Sequence, residues 1–303
     1  KKNISKHCLN INGAGVDLAA RTSNSANPSN RHWMPVDANL RARLTTAAIG
    51  IPLLVWLVGW GPAWLFAALF LLLTAGALYE YFSMSFPDAR GKQAAGVAFG
   101  IALALIVVFY GAAIVLAALG MFWVLLFSLS LFFHFHPAER LGPLASILLG
   151  GFYVGYLVPF IILLFGRADG RAWVCWLLFV IMAGDSSGYF IGRRFGKNKL
   201  APAISPGKTV QGAWGYLVGT LVIGLGGAAL LLSHMAWLEI LLLSLSVGVL
   251  GQLGDLFESS VKRAFAVKDS GSLLPGHGGL LDRLDSLIFP AVFTTTYLRI
   301  FQS

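Results

Sequence analysis

The sequence predicts an all-α polytopic membrane protein with about nine transmembrane helices and a cytoplasmic N-terminus. Three observations carry that expectation. Hydrophobic residues make up 57% of the 303 and charged residues only 12%, against roughly 25% charged in soluble domains, and the mean hydropathy is +0.76. From residue 44 the chain runs as successive apolar stretches of about 20 residues, the length that crosses a bilayer. The cations gather in the short segments between those stretches, where Lys and Arg set orientation.

The elements follow in order. Residues 1–40 form a polar tail whose segment RTSNSANPSNRH lacks apolar periodicity and is expected to be disordered. It has no apolar core of roughly 7–15 residues, so it is not expected to act as a signal peptide. Residues 41–303 are then expected to form a single membrane-embedded domain, and the resemblance given below makes it the catalytic one. Spans are expected at 44–60, 62–84, 94–112, 114–133, 143–166, 172–192, 213–233, 235–254 and 284–301. Residues 93–133 carry no charge, too long for one span, and divide at Tyr110-Gly111. Pro290 interrupts the last span, and without it the count is eight. Glu80 and Glu239, in or beside spans, read as marking membrane interfaces. Cys8 and Cys175 lie in different settings and suggest neither a disulfide nor a metal site.

With the N-terminus cytoplasmic, fourteen Lys and Arg after residue 40 fall in loops on that side. Only Arg167, Arg171 and Arg299 fall on the other, a strong positive-inside bias. The net charge of +9 is therefore spread over loops rather than a soluble basic face, which argues against nucleic-acid binding. The two loops richest in charge, 193–212 and 255–283, share the cytoplasmic side.

Three constellations carry chemistry. Asp185 in Gly184-Asp185-Ser186-Ser187-Gly188 is an ionisable residue near a span end, which by default suggests function, and the small residues around it suit close helix packing. The loop Ser205-Pro206-Gly207-Lys208-Thr209 resembles the tail of a P-loop. Pro202 stands where that motif needs its first glycine, however, so a Walker reading fails. What remains is a Ser/Lys/Thr loop suited to phosphate oxygens, with Lys208 as a point charge. The third runs from Gly254-Asp255 to Asp285. Asp255 and Glu258, then Asp282 and Asp285, are each three apart and face one way on a helix. Hard oxygen ligands in this number suit Mg²⁺, which shares its remaining positions with water and phosphate. His277 in the Gly-rich turn has no second ligand at zinc spacing.

Ser259-x-Val261-Lys262-Arg263, Lys268-Asp269-x-Gly271 and Leu274-Pro275-x-His277-Gly278-Gly279-Leu280-x-Asp282-Arg283-Leu284-Asp285 together resemble the signature of the phosphatidate cytidylyltransferase (CDP-diacylglycerol synthase) family. The resemblance covers about residues 184–286. Two positions depart from the family pattern: Gln211 stands where many members have Glu, and Ser187 where Gly or Ala is common.

The resemblance implies transfer of the cytidylyl group of CTP to phosphatidate, giving CDP-diacylglycerol and pyrophosphate for phospholipid biosynthesis, with Mg²⁺ required. It implies metal ligation by Asp255, Asp282 and Asp285, with Asp185 and Asp269 as helpers. Lys208, Lys262, Arg263 and Arg283, with Asp282, would carry catalysis. Ser205, Thr209, Ser259, His277, Gly278 and Gly279 would bind substrate, the glycines by close approach of backbone N–H groups. The setting implied is a bacterial inner membrane, with the site facing the cytoplasm and a homodimer as the family habit. A CTP-dependent kinase of a membrane lipid alcohol is the nearest alternative. A transporter or inactive membrane scaffold is the alternative from another class, though no internal repeat supports it.

Overall fold

The computed structural model describes residues 48–50, 52–111, 137–273 and 278–302. The polar tail 1–40, the expected span 114–133 and His277 lie outside them. After a helical stretch over 52–59, the long elements are α1 (Ala63–Ser85), α2 (Arg90–Tyr110) and α3 (Pro137–Gly150). A π-helical turn (Gly151–Tyr156) leads to the short α4 (Phe160–Phe165), then to α5 (Gly170–Phe195). A hairpin of β1 (Lys199–Ala201) and β2 (Ser205–Thr209) precedes α6 (Val210–Leu231), α7 (Trp237–Ala264) and α8 (Leu281–Phe301).

The fold is mostly helical, and six helical stretches among the described residues are long and apolar enough to cross a membrane. The break expected at Tyr110-Gly111 is present: α2 ends at Tyr110, and Gly111 takes a φ of +83°, a conformation open to glycine at no steric cost. Three of the expected spans differ in detail. The span expected at 143–166 is interrupted by the π-helical turn. The helix of the span expected at 235–254 continues to Ala264, carrying Asp255, Glu258 and Lys262 past the expected span end on the helical face that their spacing suggests. The last helix runs unbroken through Pro290. The segment expected as a plain loop after α5 is an antiparallel ribbon, pairing Lys199 with Thr209 and Ala201 with Ser205.

Large apolar side chains such as Leu72, Val222 and Leu230 are exposed, as lipid-facing helix surfaces require. Without a hydrophobic gain between helices in lipid, association rests on close packing, and small residues permit it. On α5 and α6 the glycines do this. A Cβ on Gly184 would meet the Tyr216 ring at 2.6 Å, and one on Gly212 would meet the Gly188 carbonyl at 3.0 Å. Between α7 and α8, a Cβ on Gly254 would strike the Asp285 carbonyl. The helices that carry the charged residues are thus held backbone to backbone.

This packing makes a testable contrast within one helix. Gly219→Leu drives a side chain against Ser187 Oγ and the Ala183 carbonyl and is expected to cost about 1–3 kcal/mol, read as a lowered Tm in detergent. Gly226 has nothing within 4 Å of an added Cβ, so Gly226→Leu is expected to leave Tm unchanged or raised. Equal shifts in both variants would contradict the account.

Candidate functional site

Where α5, the hairpin, α6 and α7 meet, they enclose a cavity of about 550 Å³. Its wall carries Asp185, Tyr189 and Arg193 from α5, Ser205, Gly207, Lys208 and Thr209 from β2, Tyr216 from α6, and Gln252 and Asp255 from α7. The hairpin brings Lys208 over α7, where its Nζ lies 2.6 Å from Asp255 Oδ2. Ser259 Oγ donates to the other Asp255 oxygen at 3.4 Å. Thr209 ends the strand and starts α6: its Oγ1 accepts the Gly212 N–H at 3.1 Å, an N-cap. The same residue therefore sets the turn that aims Lys208 and closes one wall of the cavity.

Gln211 lies just inside α6, and its amide oxygen accepts the N–H groups of Lys197 and Asn198 at 3.0 and 3.2 Å. That fastens the hairpin to the end of α5, a task an amide oxygen performs as well as a carboxylate. Arg263 braces the ribbon from the other side, donating from Nε to the Ile204 carbonyl at 3.2 Å and from Nη1 to the Val267 carbonyl at 2.7 Å.

A second cluster lies off the cavity wall. Lys262 Nζ stands 2.6 Å from Glu258 Oε2 and 2.5 Å from Asp282 Oδ1, and Glu258 is fully buried. The other Asp282 oxygen accepts the N–H groups of Ser270 at 3.2 Å and Gly279 at 3.1 Å. Burial alone would raise the Asp282 carboxyl. Hydrogen bonds to Glu258 and Lys262, the Lys262 charge and the Ser270 N–H outweigh it and hold the group at about 2. Buried pairs of this kind gain from having their remaining lone pairs met; both Asp282 oxygens have partners, whereas Glu258 Oε1 has no hydrogen-bond partner among the described residues.

The structure therefore divides the residues expected at one site. Ser205, Lys208, Thr209, Asp255 and Asp185 come together at the cavity. Asp285 is buried at the start of α8, accepting its neighbour Ser286 N–H at 2.7 Å, with Asp255, Asp185 and Lys262 as its charged surroundings. Asp282, expected at a metal, has one oxygen on Lys262 and the other on the loop backbone. Gly279 N–H, expected to approach a phosphate, donates to Asp282, while Gly278 supplies a φ of +82° that only glycine adopts freely. Asp269, Arg263 and Arg283 are exposed, and Ser259 is buried.

Four polar wall residues have no site role in the sequence reading: Tyr189, Arg193, Tyr216 and Gln252, with Arg193 counted there only among the loop cations. A signal for the first two existed, since Asp185, Tyr189 and Arg193 recur every four residues beside the glycines at 184, 188 and 192 and so share a helix face. Arg193 Nη1 donates to the Tyr189 hydroxyl at 2.9 Å. The Tyr216 hydroxyl is buried and has no hydrogen-bond partner among the described residues, which suits a polar ligand in the cavity.

The donor chemistry fits Mg²⁺. Among the described residues no three Asp, Glu, His or Cys side chains form a ready-made metal cage, but Mg²⁺ is commonly held by one or two carboxylates, with water and substrate phosphate completing its shell. Asp285 and Asp255, whose charge acts on Asp285, suit that role.

The family model described as the cytidylyltransferase family matches residues 41–301. The phosphatidate cytidylyltransferase of Bacillus subtilis (strain 168) is 44% identical over 133 residues, which are 44% of this chain and 49% of that protein. Proteins of the same name from Staphylococcus saprophyticus and Staphylococcus aureus are 42% and 40% identical over 137 residues, 45% of this chain and 52% of each. The chain spans about half the length of the curated relatives it matches.

The second cluster predicts a pH dependence. A carboxyl held below its ordinary value adds stability above that value, and the contribution is lost as pH falls from about 4 to about 2. Wild type is expected to exceed Asp282→Asn in denaturant stability by its full margin between about pH 5 and 7, the margin closing as pH falls through the window from about 4 to about 2. A margin independent of pH down to about 2 would contradict the assignment.

Proposed function

The chain belongs to the cytidylyltransferase family, and from that premise we propose that it transfers the cytidylyl group of CTP to phosphatidate, forming CDP-diacylglycerol and pyrophosphate. The observation that carries the reading is the cavity wall of Lys208, Asp255 and Ser205, within the region that resembles this activity. The names of the relatives support the same substrates.

The chemistry asks little of an acid or base. A phosphate oxygen of phosphatidate, already anionic near neutral pH, forms the new bond to the α-phosphorus of CTP. The bond from that phosphorus to the β-phosphoryl bridging oxygen breaks, and pyrophosphate leaves with the electron pair. The work is to bring two polyanions together in line and to spread the leaving charge.

Lys208 faces the cavity from the hairpin and would move from Asp255 to a phosphate oxygen when nucleotide arrives. Ser205 and the unpartnered Tyr216 hydroxyl would orient polar groups of the substrates, and Arg193 would meet a second phosphate from α5. Asp255 and Asp285 would hold Mg²⁺, with Asp185 as a neighbouring carboxylate. When bound, that ion would neutralise phosphate oxygens and stabilise the departing one. Lys262, paired with Glu258 and Asp282, would keep the start of α8 in place beside Asp285.

The same proposal includes nine transmembrane helices, a cytoplasmic N-terminus and a site facing the cytoplasm of a bacterial inner membrane. The positive-inside count supports it. A homodimer is proposed on the family resemblance.

Purified protein given CTP, phosphatidate and Mg²⁺ is expected to release pyrophosphate and CDP-diacylglycerol, and to stop when the metal is chelated. Lys208→Ala is expected to lower kcat/KM by roughly 100-fold, in line with loss of a phosphate-directed charge in a low-dielectric site. Release of CDP instead of pyrophosphate would identify a kinase, and no turnover at all would overturn the reading.

A further inference from the structure

Glu80 lies in α1, outside every motif that suggested function, and is 3% exposed. It makes no ion pair among the described residues. Three donors meet its carboxylate instead: Ser270 Oγ and the Leu281 N–H, both at 3.0 Å on Oε2, and the Leu273 N–H at 3.4 Å on Oε1. All three belong to the limbs that join α7 to α8, residues 270–273 on one side and 278–281 on the other. A carboxylate buried without a cation is tolerable only while such donors stay in place, so either limb that leaves α1 strips the carboxylate of part of its compensation.

The limbs are shaped to this carboxylate. A Cβ on Gly271 would sit 2.5 Å from Glu80 Oε1. One on Gly279 would press on Ser270 Oγ while lying 2.8 Å from Asp282 Oδ2 and 2.9 Å from Glu80 Oε2. One turn before Glu80 on the same face, a Cβ on Gly76 would meet Leu280 Cδ2 at 2.7 Å and Leu273 Cδ1 at 3.6 Å. Three glycines thus clear space where α1 receives both limbs. The same limbs supply the Ser270 and Gly279 N–H groups that hold Asp282, and Asp282 in turn holds Lys262.

We propose that Glu80 is a positioning residue for the transfer: from α1 it fixes both limbs, and through them the Asp282–Lys262 pair and the first turn of α8 that carries Asp285. The kinetic part rests on the function proposed above; the geometric part does not. Glu80→Gln keeps the shape but turns one acceptor into a donor facing N–H groups.

The test uses the full chain in detergent, with hydrogen exchange of the peptides over 268–285 and steady-state kinetics with CTP. The variant is expected to fold, with exchange over 270–273 and 278–282 faster by roughly tenfold and α5 and α6 unchanged. Its kcat is expected to fall by roughly tenfold while KM for CTP stays within about twofold, a split that general destabilisation would not produce. Unchanged limb exchange, or a kcat within about twofold of wild type in the folded variant, would overturn the proposal. Should Glu80→Gln not fold, Ser270→Ala, which removes one of the three donors, is expected to move both readouts the same way by less. No change in either would overturn it. A wild-type chain without transferase activity would sink the functional reading, while the exchange comparison would still decide the role of Glu80 in holding the limbs.

Discussion

A carboxylate carried into an apolar helical body must be met there by a cation or by hydrogen-bond donors, and this requirement organises the charged end of the molecule. Asp255 is met by Lys208, Glu258 and Asp282 by Lys262, and Glu80 by two backbone N–H groups and a hydroxyl. Each solution ties one element to another: the hairpin to α7, α7 to α8, and α1 to the limbs between them. The charges that a polyphosphate chemistry needs are therefore also the fastenings of the fold.

The two clusters differ in what they leave available. At the cavity, Lys208 and Asp255 remain partly exposed, and the Tyr216 hydroxyl has no partner among the described residues, so a ligand can compete for them. Around Lys262 the side chains are nearly closed to solvent and both Asp282 oxygens are occupied. Interactions of the first kind can be exchanged during a reaction cycle, whereas those of the second kind hold geometry. Close glycine contacts between α5 and α6 and between α7 and α8 keep the two clusters in register, because backbones in contact cannot slide without a clash.

Much of this was legible in the sequence, and for clear reasons. Apolar length alone locates the long helices, and the break at Tyr110-Gly111 follows from glycine's freedom at positive φ. The Ser205–Thr209 segment and Asp255 stand out because charge is rare in this chain. What was not legible is pairing. Asp282 and Asp285 share a spacing that suggests a common target, yet one turns to Lys262 and the loop while the other is buried facing Asp255. Glu80 read as an interface marker because its partners lie some 190 residues away, and two of the three are backbone groups that no residue type announces. Gly279 read as an opening for phosphate, although its missing side chain makes room for two carboxylates of the protein itself.

The account turns on which cluster exchanges its partner for substrate. A structure of the chain with CTP and Mg²⁺ bound tests this most directly. The nucleotide phosphates are predicted in the cavity between the hairpin and α7, with Lys208 turned from Asp255 toward a phosphate oxygen and the Lys262–Asp282 pair intact. Nucleotide bound elsewhere with the Lys208–Asp255 pair closed, or phosphates displacing Asp282 from Lys262, would contradict it.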